Sequence, residues 1–105
     1  MSNYCVVVTT SSSEEMNKKI VDSLLEKKLV ACVQIQKIES YYWWKGSVAN
    51  DPEYLLLIKT KTDLYDEVEK DILANHSYET PEVLQLPVAG GFSGYLNWMD
   101  EVCKK

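Results

Sequence analysis

The sequence predicts an α+β domain, and three observations predict it. Short valine- and leucine-rich runs alternate with stretches whose apolar residues recur every three or four positions, the signatures of buried strands and amphipathic helices. Four glycines and three prolines leave few chain breakers, so connections are few and short. With 105 residues the chain has material for one core, since two would each be too small to stand alone. One domain is expected over residues 1–105.

Residues 3–9 carry Tyr4-Cys5-Val6-Val7-Val8, too short for a helix and rich in a strand-forming residue. The following Ser11-Ser12-Ser13-Glu14-Glu15 is a helix start, with Ser11/Glu14 or Ser12/Glu15 available as a capping box. Met16, Ile20, Val21, Leu24 and Leu25 then share one side of a helix over about 13–28. The longest extended segment covers about 29–45. Ala31, Val33 and Ile35 alternate with Cys32, Gln34 and Gln36 until the apolar phase slips at Ile38, which predicts a bulge near 36–38. Such a strand exceeds the usual five or six residues, so its distal half is expected to project beyond the sheet. Asn50-Asp51-Pro52 reads as a turn and Glu53–Thr60 as a further buried strand. Thr62 or Asp63 caps a second helix through Leu64, Val68 and Ile72 that ends near Asn75-His76. A loop around Pro81 precedes an extended stretch from Val83 to Val88, where Pro87 marks an edge or a strand end. Ala89-Gly90-Gly91 breaks the chain and Ser93 caps a last helix. The order β-α-β-β-α-β plus a C-terminal helix is the ferredoxin-like arrangement, an antiparallel sheet with two helices on one face and a long projecting hairpin.

Composition narrows the function. Sixteen acids face eleven lysines with no arginine, a net charge of −5, which argues against nucleic-acid and anionic-membrane partners. No apolar run approaches the roughly 18 residues of a membrane span, and the first residues enter a strand without a charged, apolar leader. The three cysteines, Cys5, Cys32 and Cys103, are odd in number and widely spaced. They read as reduced thiols, and a cytoplasmic location is expected.

Four consecutive aromatics, Tyr41, Tyr42, Trp43 and Trp44, are the most unusual feature. In a strand they point alternately to both faces, more apolar surface than a projecting hairpin of one small domain covers, so self-association is expected there. His76 is the only histidine, and with Tyr78, Glu79 and Glu82 it crowds one loop. A lone histidine with carboxylates serves Cu(II) or Zn(II) only when other chains add ligands. Cys32 has no base within local reach and reads as structural. Gly90-Gly91-Phe92-Ser93-Gly94 lacks the lysine and spacing of a phosphate loop. With no nucleophile–base set and no metal-spaced Cys/His set, an enzyme is not expected, and no organic cofactor is implied.

Taken in order, these residues resemble the CutA1 family of divalent-cation tolerance proteins over about 4–100. The resemblance rests on Leu29-Val30-Ala31-Cys32-Val33, Ser40-x-Tyr42-x-Trp44-x-Gly46, and Glu53 leading into Ile58-Lys59-Thr60. It continues through His76-x-Tyr78-Glu79-x-Pro81-Glu82, Leu86-Pro87-Val88, Gly91 and Tyr95-Leu96-x-Trp98. It implies a tight homotrimer whose long strands reach neighbouring subunits, with Tyr41, Tyr42, Trp43, Trp44 and Trp98 at the trimer interface. It also implies an architecture like that of the PII signalling proteins, with clefts between subunits lined by Lys59, Tyr78, Glu79 and Glu82. His76 is then the candidate ligand for Cu(II) or another divalent cation, bound weakly between subunits. The alternatives are a PII-like sensor of a small molecule and a structural or anchoring trimer.

Two departures from the family pattern matter. Ser77 stands where the family often has proline. Some members carry a thiol late in the first strand and a His-His pair before the loop, suggested as copper ligands. The corresponding residues here are Thr9, Asn75 and His76, one ligand of three, and tight copper binding by that set is not expected. Cys5, on the same strand face about 13 Å from Thr9, is too far to substitute.

Overall fold

The structure, a computed structural model, describes residues 2–105. Its elements are β1 (Tyr4–Ser11), α1 (Glu14–Glu26), β2 (Cys32–Trp44) and β3 (Ser47–Lys61). A 3-10 turn at Thr62–Leu64 leads into α2 (Tyr65–Asn75), followed by β4 (Val83–Pro87) and α3 (Ser93–Val102). The four strands form one antiparallel sheet in the order β2-β3-β1-β4. This is the expected α+β, ferredoxin-like arrangement.

The core lies on one face of the sheet. Register pairs Val7 with Ile58 and Thr9 with Leu56, and residues directly opposite share a face. Against this face pack Ile20 and Leu24 of α1 and Val68 and Ile72 of α2, all fully buried. The C-terminal end of α1 is closed by a Schellman motif. Lys28, at φ 56, donates its N–H to the Leu25 carbonyl, and Leu29 donates to Leu24. The second face carries Val6, Val8, Leu57, Leu84 and Leu86 by the same register argument. α3 covers only one end of it, where Asp100 accepts a hydrogen bond from Tyr4 Oη at 2.8 Å and Lys59 Nζ lies 5.9 Å from the centre of the Tyr95 ring.

Several local expectations are corrected. The α1 cap is Ser13, whose hydroxyl accepts from the Met16 N–H, because β1 keeps Ser11 in the strand. Neither Ser11 nor Ser12 forms the capping box. β2 begins at Cys32, and no bulge occurs at 36–38: the pairing with β3 runs unbroken from Cys32↔Lys59 to Trp44↔Ser47. The apolar phase slips there because the ribbon leaves the core, so neither face is required to be buried. The turn lies at Lys45-Gly46, not at Asn50-Asp51-Pro52. Both turn residues have positive φ, 50 and 85, which gives the two-residue turn that matches strand twist. Pro52 is therefore inside β3, beyond the last β1 pair at Ser11↔Tyr54, where one side of the strand is open and a missing N–H is tolerated. α2 and α3 start without side-chain caps. Thr62 opens the 3-10 turn and donates its hydroxyl to the Ser2 carbonyl, and Ser93 is the first residue of its helix, not its cap.

The hairpin therefore projects as expected. From Ile38↔Glu53 to Trp44↔Ser47 it is a two-stranded ribbon with no third strand. The molecule measures 44 × 26 × 22 Å, and its radius of gyration of 14.3 Å exceeds the roughly 13 Å of a compact chain of this length.

Candidate functional site: the corner between the hairpin and the 76–82 loop

β1 ends at Ser11 while the β2–β3 ribbon runs on, and the loop after α2 crosses the gap before β4 begins. His76 fixes that crossing. β4 pairs with β1 only up to Thr9↔Val83, and the carbonyl of the next residue, Thr10, accepts a hydrogen bond from His76 Nε2–H at 2.6 Å. The other ring nitrogen, Nδ1, accepts the Tyr78 N–H at 3.1 Å. These two partners define the Nε2–H tautomer. The imidazole also packs against the Tyr78 ring, centroids 4.5 Å apart. Both ring nitrogens are thus committed to backbone groups.

Held this way, Tyr78 directs its hydroxyl to Glu53 Oε2 at 2.7 Å. Burial, reinforced by that carboxylate, pushes the Tyr78 phenol well above its ordinary value. Across the ribbon Tyr42 Oη donates to Asp51, and this hydrogen bond raises the Tyr42 phenol as well. Asn50 Nδ2 donates to the Ser40 carbonyl at 3.2 Å, a further tie between the two strands. The corner frames a half-open cavity of about 850 Å³. Its lining includes the aromatics Tyr42, Trp43, Trp44 and Tyr78 and the acids Asp51, Glu53, Glu79 and Glu82.

Three of the four residues expected at the cleft, Tyr78, Glu79 and Glu82, meet here with the hairpin aromatics. Lys59 does not join them within one chain. Its ammonium donates to Gln34 Oε1 and lies over Tyr95, and Trp98 sits beside Tyr95 with ring centroids 5.4 Å apart. Glu53 and Asp51 were not singled out as site residues in the sequence, because only strand register brings them to Tyr78 and Tyr42. Among the described residues no three of His, Cys, Asp and Glu are placed to hold a metal ion. Thr9 and Asn75, which correspond to residues suggested as copper ligands in some family members, form no ligand pair here: the Thr9 hydroxyl is buried without a hydrogen-bond partner. Thr9 is fully buried, and Asn75 Nδ2 donates to the Asp71 carbonyl at 2.9 Å. The donors of the described residues of this chain therefore do not fit a resident metal. The three thiols are unpaired, and burial raises Cys5 and Cys103, which makes them poor nucleophiles.

A family model described as CutA1 divalent ion tolerance protein matches residues 5–102. The chain is 45% identical over 95 residues to the chloroplastic protein CutA 1 of Oryza sativa subsp. japonica, covering 90% of this chain and 54% of that protein. It thus spans about half the length of that relative, and of the chloroplastic Arabidopsis thaliana protein CutA, of which 52% is covered. It is 39% identical over 101 residues to the divalent-cation tolerance protein CutA of Archaeoglobus fulgidus, covering 96% and 97% of the two chains. Among solved structures, CutA1 from Oryza sativa superposes with a TM-score of 0.94 at 41% identity, covering 99% of this chain and 96% of that one. The periplasmic divalent cation tolerance protein CutA from Archaeoglobus fulgidus gives 0.93 at 36%, covering 96% and 99%. The likeness spans both the core and the projecting hairpin, and the chain belongs to the CutA1 divalent ion tolerance family.

Proposed function

We propose that this chain is the subunit of a homotrimer of the divalent-cation tolerance type, a binding protein and not an enzyme. The observation that carries the reading is the uncovered second face of the sheet. Leu84 and Leu86 are 54% and 49% exposed beside Val8, Val6 and Leu57, and Phe92 is 80% exposed near the start of α3. Patches of this kind mark interfaces. The sheet also ends in a 13-residue strand, β2, whose outer side has no partner in the chain, and in the short β4. Unpaired edges are liabilities that assembly removes. Joining a β2 edge to a β4 edge is a heterologous contact, and such contacts close into rings where the rotation between copies closes and run on as filaments where it does not. Three is the ring size that the family resemblance implies.

A divalent cation bound by this assembly draws its donors from more than one subunit. His76 is the imidazole available to Cu(II), at the expense of its hold on Thr10 or Tyr78. The carboxylates at the corner suit harder cations. A cytoplasmic location is part of the same proposal and agrees with three reduced thiols.

The test is a paired substitution on the exposed face, Leu84→Asp with Leu86→Asp, read by light scattering for mass and circular dichroism for fold. Both side chains are half in solvent, so the fold is retained and the assembly is expected to fall to single chains. A folded variant with the mass of the unsubstituted protein would show that this face is not the interface.

A further inference from the structure

Residues 103 and 104 join the two faces of the sheet. α3 lies on the second face, where one oxygen of Asp100 accepts from Tyr4 Oη at 2.8 Å and the other lies 3.9 Å from Lys61 Nζ. Little within the helix itself holds it there. Of its ten residues only Met99 is buried, it starts without a side-chain cap, and Gly94 stands in its first turn. A helix this short with a glycine inside it does not persist alone in water. Directly after α3 the chain passes the end of β3 and reaches the opposite face. There Cys103 is buried in the core cluster with Cys5, Leu29 and Val30. The Lys104 N–H donates to the Lys28 carbonyl at 2.8 Å, and Lys104 Nζ lies 2.7 Å from Glu67 of α2. Lys28 is the left-handed residue that closes α1, so its carbonyl is held in place by the Schellman motif. One buried side chain, one backbone hydrogen bond and one ion pair thus fasten α3 to the elements of the core face.

We propose that Cys103 and Lys104 form a latch that keeps α3 on the second face, and that α3 opens as a local unit when the latch lets go, while the four strands, α1 and α2 stay folded. Segments with few buried contacts open at a lower free energy than the whole domain. Through α3 the latch reaches the self-association surface. Phe92, Tyr95 and Trp98, all exposed, stand at the border of the apolar sheet face. A docked α3 presents these rings to a second copy, and a released one withdraws them. This consequence rests on reading the second face as an interface, whereas the latch is built within one chain.

The experiment is maleimide labelling of the full chain, followed thiol by thiol, with hydrogen exchange of the α3 and β1 amides and the mass of each sample measured in parallel. It is run in the Leu84→Asp, Leu86→Asp background, so that no second copy covers α3. Cys103 is expected to label about tenfold or more faster than the fully buried Cys5, which needs the core to open. Lys104→Pro removes the N–H given to Lys28, and Cys103 is already extended (φ −77, ψ 150), as the residue before a proline should be. It is expected to speed Cys103 labelling and α3 exchange by a further tenfold or so, with β1 exchange within about twofold. Lys104→Met removes the ion pair alone, between two half-exposed side chains, and is expected to change each rate by about twofold at most. Equal labelling of Cys103 and Cys5, or a Lys104→Pro variant no faster than Lys104→Met, would overturn the latch. In the otherwise unsubstituted chain, Lys104→Pro is expected to bring dissociation at higher protein concentration. A background that keeps the parent's mass would refute the interface reading alone, since α3 then lies outside the contact and the labelling comparison still decides the latch.

Discussion

His76→Ala separates a structural role for the imidazole from a metal-binding one. Two hydrogen bonds disappear, Nε2–H to the Thr10 carbonyl at 2.6 Å and the Tyr78 N–H to Nδ1 at 3.1 Å. Each is worth about 1 kcal/mol net, and the Thr10 carbonyl belongs to a residue only 6% exposed, so its loss lies at the upper end of that scale. The ring contact with Tyr78 adds about 0.5–1 kcal/mol. Together the substitution is expected to cost about 2–3 kcal/mol, where a surface histidine with no partners costs within about 0.5 kcal/mol. Asn at 76 can still accept the Tyr78 N–H two residues on but is too short for Thr10, so His76→Asn is expected to recover roughly half of the loss. Urea unfolding at one fixed protein concentration measures both, and hydrogen exchange reads the Tyr78 amide directly. If His76→Ala unfolds within about 0.5 kcal/mol of the parent with the Tyr78 amide still protected, the clamp does not exist.

Three further outcomes follow from the same geometry. Lys27 Nζ lies 2.5 Å from Asp71, whose side chain is 6% exposed and whose second oxygen has no partner. Lys27→Met should therefore cost about 1–3 kcal/mol in urea, against about 0.3–0.5 for Lys18→Met in the exposed pair with Asp22. The raised phenols of Tyr78 and of Tyr65, the latter pushed up to about 12 by burial and Glu69, hold their protons in the folded state after the unfolded chain has lost them. Stability is then complete below pH 10 and falls as pH rises from the unfolded value of about 10 through the folded ones. Tyr78→Phe should flatten that alkaline fall in melting temperature, and an unchanged slope would contradict the assignment. Cu(II) titrated into the assembled protein should bind weakly at most, and any saturable heat that depends on His76 should come with faster exchange of the Tyr78 amide. Tight binding without that loosening would mean that the ion leaves both backbone bonds of the imidazole intact.

Most of the fold was legible because burial imposes a period. β1, α1 and α2 each present a continuous apolar face to one core, and their positions follow from Val7, Ile20, Leu24, Val68 and Ile72. The errors fall where burial imposes nothing. Along residues 38–53 both faces of the ribbon lie outside the core, so the phase slip at Ile38 carried no structural meaning and Pro52 imitated a turn. Three successive serines left the α1 cap undecided until the end of β1 was known. In the candidate site, Tyr78, Glu79 and Glu82 were visible as a loop cluster. Their partnership with Glu53 and the hairpin aromatics was not, because it depends on the β2–β3 register and on where β1 stops. The double commitment of His76 was equally hidden, since its partner Thr10 lies 66 residues away.

The central claim is that the exposed sheet face and the unpaired edges are covered by copies of the same chain. Sedimentation equilibrium across a range of protein concentrations tests it most directly. The expected result is a single species at three times the 12.0 kDa chain mass, unchanged on dilution. A species at 12.0 kDa that stays folded with Leu84, Leu86 and the hairpin tryptophans in water would contradict it.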